Sequence, residues 1–94
     1  MVTEAFILQA RPSEAPGTVV RVGFTASRKV GGAVVRNRAR RRLKALAARV
    51  VAARARPGWD YVLVARGAAV SRPWSAMVGD LEAAFDRLDR APAP

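Results

Sequence analysis

The chain contains no cysteine and no histidine. Without cysteine there are no disulfides and no thiolate metal sites. Without histidine a Ser-His-Asp triad is excluded, and with both types missing a Cys-His pair and a His-ligated zinc site go as well. Protein-borne catalysis of the usual kinds has few residues left to work with. No apolar run approaches the roughly 18 residues that a membrane span needs. Met1-Val2-Thr3-Glu4 lacks the basic lead-in of a secretory signal, so the expectation is a soluble, cytoplasmic protein with no membrane partner. The 94 residues are enough for one small domain over 1–94, with an ordered core at about 4–89 and a tail at 90–94. The apolar fraction of 51% overstates the core, because twenty of those residues are alanine.

Acid is missing from the middle of the chain. No Asp or Glu falls between Ala15 and Trp59, an interval that holds twelve of the seventeen basic residues. Eight of those twelve lie between Arg28 and Lys44, while Glu4, Glu14, Asp60, Asp80, Glu82, Asp86 and Asp89 hold all the negative charge. A cationic block without interleaved acids repels itself unless a polyanion relieves it, which points to nucleic acid. Lysine is scarce, with two against fifteen arginines. Planar guanidinium forks suit phosphate; a G+C-rich coding sequence, with its abundant Ala, Arg, Gly and Pro, accounts for the same bias.

Residues 5–10 alternate as a strand, with Phe6 and Leu8 on one face and Ile7 and Gln9 on the other. Residues 11–17 carry two prolines and a glycine and read as a loop. Residues 18–26 form the clearest strand, Val20, Val22 and Phe24 alternating with Val19, Arg21, Gly23 and Thr25. The two strands suggest an antiparallel hairpin, Arg21 and Thr25 sharing its more polar face. After Gly31-Gly32 a helical period runs over 33–56, with Ala39, Leu43, Leu46, Ala47 and Val50 as its apolar stripe and Pro57-Gly58 as its breaker. The short apolar run at 60–66 fits a buried central strand. Pro73 opens a second helix whose inward stripe is Trp74, Met77 or Val78, Leu81, Phe85 and Leu88. The order β-β-α-β-α, with a βαβ crossover, predicts a small two-layer α/β sandwich of one sheet packed against helices.

On a wheel of 100° per residue, Arg36, Arg40, Lys44, Asn37 and Arg41 fan along one flank of the long helix, and Arg38, Arg42 and Arg49 along the other. Their spacing of three and four stacks the tips along the axis as a cationic rail able to grip phosphate oxygens. Ahead of it, Ser27, Arg28 and Lys29 leave the strand, and Gly31-Gly32 opens a helix start whose free N–H groups make a second anion site; simple turn chemistry explains the same glycines. A solvated amphipathic helix would alternate Glu with Lys, and this one has no Glu. Membrane-surface binding needs bulky apolar residues free to insert, whereas this stripe faces the sheet. A protein nuclease would need clustered carboxylates for metal; Glu82, Asp86 and Asp89 share a helix face, but Arg87 and Arg90 stand beside them for surface pairing. Trp59, Tyr61 and Trp74 offer rings for base stacking, although Trp59 borders a Pro-Gly turn and the other two read as core or core edge.

The run Arg21-Val-Gly-Phe-Thr-Ala-Ser-Arg-Lys-Val-Gly-Gly-Ala-Val-Val-Arg-Asn-Arg-Ala-Arg-Arg-Arg-Leu-Lys44 resembles the protein subunit of bacterial ribonuclease P. Arg36-Asn37-Arg38, preceded by Ser-Arg-Lys-Val-Gly, matches that family's signature, and Trp59-Asp60-Tyr61-Val-Leu-Val-Ala-Arg66 is similar to its next strand. The resemblance covers roughly residues 4–88. It implies a subunit with no catalytic residue and no cofactor of its own, docked on a catalytic RNA that cleaves the 5′ leader from precursor tRNA with RNA-bound Mg²⁺. By motif match Arg36, Asn37, Arg38, Arg40, Arg41, Arg42 and Lys44 would touch that RNA, with Ser27, Arg28 and Lys29 near it or the leader. The resemblance also implies a left-handed crossover, against the usual rule. Members normally begin with a basic helix carrying aromatics, which walls a cleft for the leader; this sequence starts at its first strand. Gly32 stands where the family usually has Asn, and Gln9 where an aromatic is common. The partners expected are therefore the catalytic RNA and precursor tRNA, with no obligate protein partner. The alternative is a general RNA- or DNA-binding basic protein, ribosome- or nucleoid-associated, without a role in tRNA cleavage.

Overall fold

The most apolar stretch of the chain takes the middle of the sheet. In the computed structural model, which describes residues 1–14 and 20–90, strand β3 (Trp59–Ala65) lies between β1 (Phe6–Pro12) and β2 (Arg21–Thr25). β1 runs antiparallel to β3 with Leu8 opposite Leu63, and β2 runs parallel to it with Phe24 opposite Leu63. The expected β1–β2 hairpin is therefore corrected: the two strands never pair, and each forms one edge of a three-stranded sheet. A strand that is apolar on both faces gains most by having a neighbour on each side. The polar and ring-constrained residues Gln9, Arg11, Pro12 and Arg21 then fall on edges, where proline is tolerated. Residues 18–19 of the expected second strand, 15–17 of the expected loop and 91–94 of the expected tail lie outside the described residues.

Helix α1 (Ala33–Arg54) connects β2 to β3 as the parallel pair requires, and α2 (Trp74–Arg90) follows a 3-10 turn at Gly67–Val70. The 22 residues of α1 make a rod of roughly 33 Å at 1.5 Å per residue, against a longest molecular dimension of 37 Å. It stops two residues earlier than expected. Arg56 precedes Pro57, whose ring disfavours helical geometry in the residue before it. Ala55 is already extended, its N–H donating to the Val51 carbonyl at 2.8 Å. The Arg56 N–H then donates to the Tyr61 hydroxyl at 2.9 Å, which ties the helix exit to the sheet.

Both helices cover one face of the sheet. Phe6 and Leu8 from β1 and Tyr61, Leu63 and Ala65 from β3 meet Leu43, Leu46, Val50 and Val51 of α1 and Met77, Leu81 and Phe85 of α2. The predicted stripe of α1 is the buried one, with Val51 added; Trp74, Val78 and Leu88 of α2 pack partly buried around it. Tyr61 and Phe85 sit with ring centroids 5.4 Å apart at 48°. The opposite face carries Gln9, Arg11, Arg21 and Thr25 exposed. This is the two-layer α/β sandwich expected, with its crossover in place.

Candidate nucleic-acid interface

Most of the acids are paired away from α1's first half. Five of the seven carboxylates form salt bridges, and their partners are Arg21, Arg54, Arg56 and Arg72. Arg21 grips Asp60 with two bonds of 3.0 and 2.9 Å, a pair made possible by their facing positions on the parallel strands. Its guanidinium holds the Asp60 carboxyl below the usual carboxylate range, the hydrogen bond outweighing the burial that would raise it. Asp86 and Asp89 accept from Arg54 at 2.7 and 3.1 Å, and Arg56 adds a bond of 2.9 Å to Asp89. In place of the expected Arg87 and Arg90, the partners of Asp86 and Asp89 are Arg54, the last residue of α1, and Arg56 just beyond it. Arg72 bridges Asp80 and Glu4. Among the described residues, no group of three or more acids is placed to hold a metal ion.

The basic residues between 28 and 49 have no acidic partner within salt-bridge distance among the described residues. Asn37, Arg38, Arg41, Lys44 and Arg49 are exposed along α1; Ser27, Arg28 and Lys29 are exposed in the turn before it. That turn folds back on itself, with the N–H of Val30 donating to Ser27 at 3.0 Å and that of Gly31 to Arg28 at 3.2 Å. Gly32 is the N-cap residue and supplies no side-chain cap, and no acid stands in the first turn. The free N–H groups and the positive end of the helix dipole thus add to the same cationic end.

The rail is not uniform. Arg40 donates to the Asn37 amide oxygen at 2.7 Å, so Asn37 orients a neighbouring guanidinium. Arg36 is half-buried, and its Nε is buried without a partner. On the wheel it lies only about 20° from Leu43, one turn before the stripe, so its stem continues the apolar side. Arg42 does something that the sequence did not suggest. Its fork donates to the carbonyls of Ala69 at 2.8 Å and Arg72 at 2.6 Å, pinning the turn that leads to α2. Arg41 also changes sides: it lines a shallow cavity of about 350 Å³ with Arg38, Arg42, Ala45 and Trp74 instead of joining the Lys44 flank. Residues 38, 41, 42 and 45 follow the helical three-and-four spacing, so this grouping is what the wheel allows once the facing element is known. Lys44 opens onto a different groove, about 390 Å³, between Val22 and Phe24 of β2 and Ala48 and Ala52 of α1. Of the three rings considered for stacking, Tyr61 is buried, while Trp59 and Trp74 are partly exposed.

A family model described as Ribonuclease P matches residues 1–89 of the chain. The chain belongs to the ribonuclease P protein family. The ribonuclease P protein component of Ruegeria pomeroyi is 47% identical over 92 residues, covering 96% of this chain and 73% of that protein. That of Caulobacter vibrioides is 46% identical over 84 residues, covering 89% of this chain and 56% of its own length. The chain thus spans little more than half of some of the curated family members it matches. Among solved structures, the ribonuclease P protein of Thermotoga maritima superposes with a TM-score of 0.74 at 21% identity, over 93% of this chain and 80% of that one. The Staphylococcus aureus protein gives 0.70 at 20% identity, over 96% and 79%. At such identity the likeness concerns the ribonuclease P protein fold, which this chain shares. No helix among the described residues is long and apolar enough to cross a membrane.

Proposed function

We propose that this chain is the RNA-binding subunit of ribonuclease P and assists removal of the 5′ leader from precursor tRNA. The observation that carries the reading is the unpaired cationic rail of α1, beside an arrangement in which most acids are neutralised elsewhere. Arg38, Arg41, Lys44 and Arg49 extend along the helix, and Arg28 and Lys29 continue the charge past its N-terminus. A surface of this kind binds by displacing counterions from phosphates. Arg36 and Arg40 contribute from the same helix, Asn37 by orienting Arg40, and Arg42 by holding the neighbouring turn. The groove between β2 and α1, with Phe24 in its wall and Lys44 at its edge, suits a single-stranded leader running past Ser27, Arg28 and Lys29.

In this reading the chain contributes no catalytic group. Cleavage belongs to the RNA subunit, with Mg²⁺ held by that RNA, and the protein supplies affinity and register. Reconstitution tests the assignment. The protein is titrated into transcribed ribonuclease P RNA, and cleavage of a precursor tRNA is followed at low Mg²⁺. Parent protein is expected to restore cleavage that RNA alone performs poorly. Arg38→Ala with Lys44→Ala should weaken docking by about 1.5–3 kcal/mol per contact and reduce the salt slope by about 0.7–0.9 for each. Equal affinity for ribosomal RNA, or no effect on cleavage, would favour a general nucleic-acid-binding protein instead.

A further inference from the structure

Trp74 is the first residue of α2 and is half-buried. It packs against the core and also lines the depression formed with Arg38, Arg41, Arg42 and Ala45. A guanidinium accepts any phosphate, whereas a flat indole selects a planar ring. The depression, about 350 Å³ and open to solvent, is large enough for one nucleotide. Arg42 already holds the carbonyls of Ala69 and Arg72, so its fork fixes the turn immediately before Trp74. Arg38 and Arg41 have no acidic partner within salt-bridge distance among the described residues and remain to meet phosphate.

We propose that Trp74, Arg38 and Arg41 form a subsite for one unstacked nucleobase of a partner RNA, with the base on the indole and its flanking phosphates on the two guanidinia. Arg42 is the positioning residue that keeps the platform in place. The inference rests on the RNA-binding reading above. A base inside a duplex has both faces covered, so the ligand is a nucleotide from a loop, a bulge or an end.

Tryptophan emission in a Trp59→Phe background reports on Trp74 alone. Titration with transcribed ribonuclease P RNA and, separately, with precursor tRNA is expected to quench it, and whichever RNA does so supplies the base. Trp74→Leu, made with Trp59 intact, should bind that RNA about 5- to 150-fold more weakly. Its salt slope should be unchanged, because no phosphate contact is lost, and Trp74→Phe should recover most of the affinity. Arg38→Ala, by contrast, should lower the slope. A parent that binds RNA without quenching, together with Trp74→Leu binding as well as the parent, overturns the subsite while leaving the RNA-binding role standing. A parent that binds neither RNA defeats both readings.

Discussion

Gly31 and Gly32 are neighbours of identical chemistry, and the backbone asks opposite things of them. Gly31 has φ +151°, a conformation that L side chains rarely adopt, and a Cβ there would lie 2.9 Å from the Val35 side chain. Gly32 has φ −70° and ψ −179°, ordinary extended backbone at the N-cap, with open space where a Cβ would go. Gly31→Ala should therefore destabilise the protein by about 1–3 kcal/mol. Gly32→Asn should stabilise it by roughly 0.5–1 kcal/mol, through a cap bond to the first turn and a less flexible unfolded chain. Thermal unfolding separates them, since 1 kcal/mol moves the midpoint by roughly 4–8 °C in a domain of this size. Equal midpoints for the two variants would remove the distinction. Nothing in a Gly-Gly pair announces which residue carries the unusual angle, so the sequence marked the turn and left its mechanics open.

At the level of elements, face was legible and neighbourhood was not. Alternation of Phe6 and Leu8 against Ile7 and Gln9 identified the buried side of β1, and the spacing of Leu43, Leu46 and Val50 identified that of α1. Neither pattern says which strand lies next to which. The reading of residues 60–66 as a central strand already conflicted with a β1–β2 hairpin, because a central strand in a three-stranded sheet uses both its edges for β1 and β2. The same limit applies to the site. The helical period placed Arg38 and Arg42 on one flank, but the carbonyls that Arg42 meets come from a turn 27 and 30 residues further on. Arg42→Lys tests that role: a single ammonium cannot span two carbonyls as a fork does. It should lower stability by about 1–2 kcal/mol and leave the salt slope of RNA binding unchanged, whereas Arg38→Lys should leave stability alone. If Arg42→Lys unfolds at the parent's midpoint, the clamp carries no weight and Arg42 returns to the set of proposed RNA contacts.

Across the whole molecule, the net charge of +10 is sorted rather than spread. Salt-bridged acids and arginines gather where β2 meets β3, around the end of α1 and along α2; among the described residues, nine of the thirteen cations without a salt bridge line the rest of α1 and the turn before it, and Arg11, Arg66, Arg87 and Arg90 are the other four. That sorting leaves a phosphate-ready surface and also makes the fold's pH response one-sided. Asp60 and Asp89 are held below the usual carboxylate range, chiefly by hydrogen bonds from Arg21 and Arg54 respectively. A carboxylate whose folded value is depressed adds stability above its unfolded value, about 3.9, and that stability is lost as pH falls through the folded value. With no histidine in the chain, no side chain of ordinary pKa titrates between about pH 5 and 7. The unfolding midpoint should accordingly stay level from pH 7 to pH 5 and drop below about pH 4. Arg21→Gln refines the test by removing the group that depresses Asp60. The variant should melt below the parent at pH 7, and the gap should close in acid as the parent's own Asp60 protonates. A gap that persists at the lowest pH would mean that Arg21 stabilises the sheet edge by packing its stem, and that the Asp60 pair contributes little.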